Sequence, residues 1–176
     1  MIKKSSAAFT LIEMLIAISI FSMMMLYLYQ TYASLNLSND NLKVEVHAIE
    51  KVQMIKKVLF LDYSLALYKS KDMINIKSRD KDEDFVYFQS SHSIHKRINP
   101  YIVYMVKHKK LYRLESLKEI TDYDMPSDAE FDVDYLGEVK SFRVYKSTNK
   151  APAYLIAIDF KKMGNILLKI KPLNEY

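Results

Sequence analysis

The chain has 176 residues, half of them apolar, with 26 basic and 21 acidic side chains and a formal net charge of +5. It has no cysteine, which excludes disulfides, thiolate metal sites and a cysteine nucleophile, and so mild a basic excess does not by itself imply nucleic acid. The length suits one membrane anchor and one modest soluble domain with its own core.

The first eight residues, MIKKSSAA, form a basic leader. An apolar run from Phe9 to Tyr29 follows, with Glu13 as its only charge. Phe9 to Tyr27 would span roughly 28 Å of helix at 1.5 Å per residue, close to the thickness of a hydrocarbon layer. Lys3 and Lys4 predict a cytoplasmic amino end, and Tyr27, Tyr29 and Tyr32 stand where an interfacial aromatic belt would form on the far side. An ordinary secretory signal is shorter and ends at a small-x-small site, which Ala33-Ser34 does not supply.

A carboxylate costs roughly 2.5–3.5 kcal/mol at the centre of a membrane helix, and less towards its edge, so Glu13 calls for a role. If the chain is cut between Ala8 and Phe9, the new α-amine lies one helical turn from Glu13. The pair can close within one chain or between neighbouring helices, where a mismatched register would leave a charge unpaired in lipid. A carboxylate that merely reaches the headgroups is the competing reading.

The string FTLIEMLIAISIF (9–21) resembles the amino-terminal segment of type IV pilins and type II secretion pseudopilins. In those families a prepilin peptidase cuts on the cytoplasmic side, before a Phe, and methylates the new amine. The resemblance implies that Ala8 ends the leader, Phe9 is the methylated first residue and Glu13 is the assembly carboxylate. Those families most often have Gly before the cut, and many major pilins break the anchor with Pro or Gly. This chain has Ala8 and an unbroken anchor.

All four prolines and both glycines lie at or after position 100, so the first 99 residues lack the two strongest helix breakers. Beyond Tyr32, the residues Leu35, Leu42, Val46, Ile49, Val52, Ile55 and Leu59 form a stripe with helical spacing. Lys43, Glu45, Glu50, Lys51, Lys56 and Lys57 occupy the other faces. The pattern predicts a helix on the order of 80 Å long, apolar all round in its first half and packed along one side of a globular layer in its second. Its heptads are too few and irregular for a coiled coil.

Strands are predicted at 73–77, 85–89, 101–107, 110–115, 139–146, 153–161 and 166–170, where β-branched and aromatic residues alternate with polar ones. One hairpin turns through Lys107-His108-Lys109-Lys110 and another around Met163-Gly164-Asn165. Residues 62–71 read as a helix end or a turn. The fold class is α+β: a long amino-terminal transmembrane and amphipathic helix packed on a small antiparallel β domain, the strands forming two small sheets. The divisions are 1–8 (leader), 9–32 (transmembrane helix and assembly segment), 33–62 (amphipathic continuation) and 63–176 (β domain). The segments YIVYMVKHKKLYRLES, VKSFRVYKS and APAYLIAIDF are similar to the minor pseudopilin J family and related minor type IV pilins, whose members associate at a filament tip.

Other constellations carry weaker chemistry. His92 and His95 lack a third ligand at metal spacing and read as solvated. Asp80, Asp82 and Asp84 alternate as in a calcium loop, but Phe85 stands where the glycine belongs. The stretch 122–134, with Asp122, Asp124, Asp128, Glu130, Asp132 and Asp134, reads as a solvated acidic loop that calcium could order. Lys107, Lys109 and Lys110 make a basic turn, a candidate DNA contact whose default reading is a solvated hairpin tip. No catalytic, metal or cofactor motif is present. The resulting expectation is a non-enzymatic filament subunit of the inner membrane with a periplasmic domain. Its expected partners are sister pilins or pseudopilins, the prepilin peptidase, an assembly platform and the lipid bilayer. It would serve a type II-like secretion pseudopilus or, alternatively, a pilus or DNA-uptake filament.

Overall fold

A computed structural model describes residues 10–67, 73–121, 123, 130–147 and 153–173. The chain divides into two compact units, one ending at Ile49 and one starting at Glu50. Helix α1 (Leu11–Ser64, 54 residues) runs through both. Within the first unit none of its described side chains is buried, and its apolar window is long enough to cross a membrane. Two hydroxyls in this stretch fold back onto the helix: Ser19 donates to the Leu15 carbonyl at 2.8 Å and Thr31 to the Tyr27 carbonyl at 2.9 Å. They therefore need no partner from outside.

The second unit opens with the last turns of α1 and continues with β1 (Asn75–Asp80), β2 (Glu83–Gln89), β3 (Tyr101–Lys107), β4 (Lys110–Ser116), β5 (Phe131–Lys146), β6 (Tyr154–Phe160) and β7 (Gly164–Ile170). These strands pair with their sequence neighbours in one antiparallel sheet of order β1 to β7. The expectation of two small sheets is thus corrected. β5 has 16 residues; its first half pairs with β4 and its second half with β6, so one strand joins what would otherwise be two sheets. A single parallel bridge, Glu83 to Phe142, curls β2 back onto β5.

Gly137 makes the long strand workable. It sits at φ +148°, and a Cβ there would lie 2.7 Å from the Met163 methyl and 3.0 Å from the Phe160 ring. Register shifts on either side bend β5 where it changes partners. The glycine that reads as a breaker in sequence is the point where the sheet turns.

The main core lies between one sheet face and α1. Ile55, Leu59 and Tyr63 of the helix pack among Val86, Ile102, Tyr104, Leu111, Phe142 and Ile156. Burying a side chain such as Leu59 contributes roughly 1.5–3 kcal/mol. A smaller cluster on the opposite face holds Phe85, Val103, Met105, Leu114 and Ile120. β3 is therefore covered on both faces, which explains why YIVYMV is almost continuously apolar rather than alternating.

The stripe on α1 is covered only in part. Ile55 and Leu59 are buried and Val52 half-buried, whereas Leu35, Leu42, Val46 and Ile49 are exposed. The members of the stripe within the second unit, Val52, Ile55 and Leu59, meet its core. The helix stops where Ala66 bridges to Ser90 and the Leu67 amide donates to the Gln89 carbonyl at 2.8 Å. The end of β2 captures the chain in extended form, which settles the helix-end question at 62–71 as far as Leu67. Residues 68–71 lie outside the described residues.

Candidate functional site

The first turn of α1 is closed by a capping box. Thr10, at the N-cap, accepts the Glu13 amide at 3.4 Å, while both the amide and the hydroxyl of Thr10 donate to Glu13 Oε2 at 2.9 Å. A helix leaves its first amides without partners, and this reciprocal arrangement satisfies two, that of Thr10 with the Glu13 carboxylate and that of Glu13 with the Thr10 hydroxyl. Glu13 therefore already holds two hydrogen bonds within its own chain. A second partner reaching it must compete with Thr10 or use Oε1, which has no hydrogen-bond partner among the described residues. The signature T-x-x-E is legible at 10–13, yet reasoning about membrane charge alone passes over Thr10. Ala8 and Phe9 lie outside the described residues.

In the second unit the polar chemistry centres on two residues the sequence reading did not single out, Asp62 of α1 and Arg113 of β4. Both are fully buried. Arg113 Nε donates to Asp62 Oδ2 at 2.7 Å and its Nη2 to Oδ1 at 3.2 Å, a two-pronged clamp between helix and sheet. Nη1 reaches Glu115 at 2.9 Å and Asp134 at 3.1 Å. Burial works against the Arg113 charge, but the hydrogen bonds and charge of Asp62, with Glu115, outweigh it and hold the guanidinium's pKa above its ordinary value.

Each carboxylate also takes further donors. Asp62 accepts the Tyr104 hydroxyl at 2.5 Å and faces His92 Nδ1 at 2.5 Å. Glu115 accepts the Ser93 hydroxyl and, at 3.1 Å, the Ile94 amide. Burial pushes the Glu115 carboxyl up, yet the hydrogen bonds from Ser93, Arg113 and Ile94 win and hold it below its ordinary range. Desolvation, reinforced by the Asp62 charge, pushes Tyr104 well up, so its hydroxyl stays a donor. The three carboxylates around one guanidinium are thereby satisfied, as buried charges must be. The arrangement fastens the last turns of α1 to the sheet.

Several sequence readings change accordingly. His92 is not solvated but partly buried against Asp62, whereas His95 stays exposed and faces Asp134 at 3.0 Å. The stretch 122–134 is not wholly a solvated loop: Asp132 and Asp134 lie in β5, where Asp132 pairs with Arg97 at 2.8 Å and Asp134 with Arg113. Asp132 is held below its usual range chiefly by that Arg97 hydrogen bond. Asp122, Asp124 and Asp128 lie outside the described residues. Asp80 and Asp84 belong to β1 and β2, and buried Asp84 accepts the Val144 amide at 2.8 Å instead of forming a calcium loop.

The basic turn is a two-residue hairpin loop. Lys107 and Lys110 pair across it, and His108 and Lys109 both take positive φ, 52° and 58°. Lys107, Lys109 and Lys110 are exposed, but Lys109 is tied down: its ammonium lies 3.3 Å from Glu83 and its carbonyl accepts the Val139 amide at 2.9 Å.

A comparison of the whole chain with characterised proteins finds no match. Residues 3–29, which include Lys3, Lys4, the capped turn and the first part of the apolar helix, match the prokaryotic N-terminal methylation motif. That motif points to a structural subunit rather than an enzyme, and it implies prepilin peptidase processing and assembly with other pilins. The chain thus carries the amino-terminal signal of the type IV pilin and pseudopilin superfamily.

Proposed function

We propose that the chain is a minor pseudopilin, of the J type, that joins the tip of a periplasmic pseudopilus serving type II-like protein secretion. Prepilin peptidase cuts between Ala8 and Phe9, Phe9 is N-methylated, and the apolar part of α1 holds the subunit in the inner membrane with the β domain on the periplasmic side. Glu13 then guides the subunit from lipid into the filament. The observation that carries this reading is the match to the methylation motif over residues 3–29, with one carboxylate in the first turn of α1, whose apolar stretch to Tyr29 holds no other charge.

The intact mass of the protein from its native host tests it. A species beginning at N-methyl-Phe9 is the expected result. A chain retaining Met1 to Ala8, or one beginning after Ala33, overturns the reading. A second reading, a minor pilin of a DNA-uptake filament, is favoured by the exposure of Lys107 and Lys110 at the hairpin tip. It requires salt-sensitive DNA binding that disappears when Lys107, Lys109 and Lys110 are neutralised.

A further inference from the structure

β5 is flanked unequally. The Val139 amide donates to the Lys109 carbonyl at 2.9 Å, while the Glu138 carbonyl accepts the Lys161 amide at 3.0 Å. These two groups belong to one trans peptide and point in opposite directions. The β3–β4 hairpin and β6 therefore lie on opposite edges of β5. β4 covers the first half of the strand, from Phe131 to Glu138, whereas β6 begins only at Val139. On the β6 side, residues 131–137 have no strand partner among the described residues.

A groove runs along this open edge. Its volume is about 460 Å³, and Met54, Val58 and Leu61 of α1 form one wall, Val133 and Tyr135 the other, with Ile94 at one end. The walls are apolar yet wet: Met54 is 58%, Val133 52% and Tyr135 47% exposed. Proteins usually guard open strand edges with charge or cover. β1 is guarded in this way by Lys77, Arg79 and Asp80. The carboxylates of the open β5 half are instead drawn away, Asp132 to Arg97 and Asp134 to Arg113 and His95. The β6-side edge of 131–137 stays open beside this trough.

Lys57 brings a positive charge to the trough, while the one lining carboxylate among the described residues, Asp134, is taken up by Arg113 and His95. Lys57 has no ion pair among the described residues, and Lys51 rests over the Tyr135 ring at 5.6 Å. The outer strands β1 and β7 each carry more basic than acidic side chains, so a second copy adding by either would bring like charge to Lys57. We propose that the open half of β5 receives an extended acidic and apolar segment of a different filament subunit. The segment adds as a strand to residues 131–137, places alternate apolar side chains in the trough and sets a carboxylate against Lys57. The inference rests on the filament reading and names the partner surface within it.

A photo-crosslinking residue at Val133 of the full-length chain, expressed in the native host with its sister subunits, tests this. The expected result is a cross-link to one extended, acidic segment of another pilin-like subunit. Lys57→Glu should cut its yield about tenfold, while Lys57→Arg keeps it. Amides of 131–137 should exchange hydrogen markedly more slowly in the purified assembly than in the chain alone. Cross-links to a second copy, to a helical segment or to lipid overturn the inference, as does unchanged exchange. If the chain co-assembles with sister subunits but those amides stay unprotected, the strand addition fails and the filament reading stands. A chain that enters no assembly overturns both.

Discussion

The stretch of α1 up to Ile49 and its last turns from Glu50 to Ser64 share one helical period but not one fate. In the last turns Ile55, Leu59, Asp62 and Tyr63 disappear into the core. Earlier, Leu35, Leu42, Val46 and Ile49 keep the same spacing and stay in solvent. Periodicity announces that a face wants covering; it does not say who covers it. The buried turns are completed within this chain. The exposed ones belong to a helix whose partners, on the filament reading, are other chains and lipid.

This contrast can be broken at its extremes. Glu13→Ala should abolish co-purification with sister subunits while the circular dichroism of the β domain is unchanged; normal assembly would remove the assembly role of the first turn. Arg113→Ala should cost about 3–5 kcal/mol of stability, because it strands Asp62 and Glu115 in the core. The shift in denaturant midpoint of the detergent-solubilised chain measures this. Leu59→Ala should cost about 2–5 kcal/mol by the same assay.

Acid should act more gently. Glu115 is held below its ordinary range, so its contribution to stability is complete above the unfolded-state value and fades as pH drops through the lower folded value. Denaturation midpoints should begin to fall below pH of about 4.3, and Glu115→Gln should flatten part of that slope. Leu42→Ala should change the stability of the isolated chain by no more than about 0.5 kcal/mol. A large loss there would show that the exposed stripe is covered within the chain after all.

Local signals in the sequence located much of this architecture. An apolar run without breakers specified α1, and alternating residues flanking short turns specified the β3–β4 and β6–β7 hairpins. The first half of β5 was hidden because FDVDY looks like a solvated acidic stretch until Arg97 and Arg113, far away in sequence, arrive to neutralise it. The single sheet was hidden for a related reason, since Gly137 resembles a strand end and acts as a bend. Thr10 was readable as half of a capping box. Asp62 was readable only in outline: it continues the Ile55–Leu59 stripe in phase, and Leu111, Arg113 and Glu115 alternate along one strand face. Nothing local says that these charges meet, because the pairing spans 51 residues and exists only once the sheet has closed over the helix.

The join between α1 and the sheet also has mechanical meaning. Asp62 is gripped by Arg113 and Tyr104, and two residues on, the Ser64 carbonyl accepts the Leu173 amide at 2.9 Å. Grease alone lets a rod slide, whereas directional bonds fix its axial position. A tug on the rod would therefore load these bonds like rivets and move the whole sheet before the helix slips free.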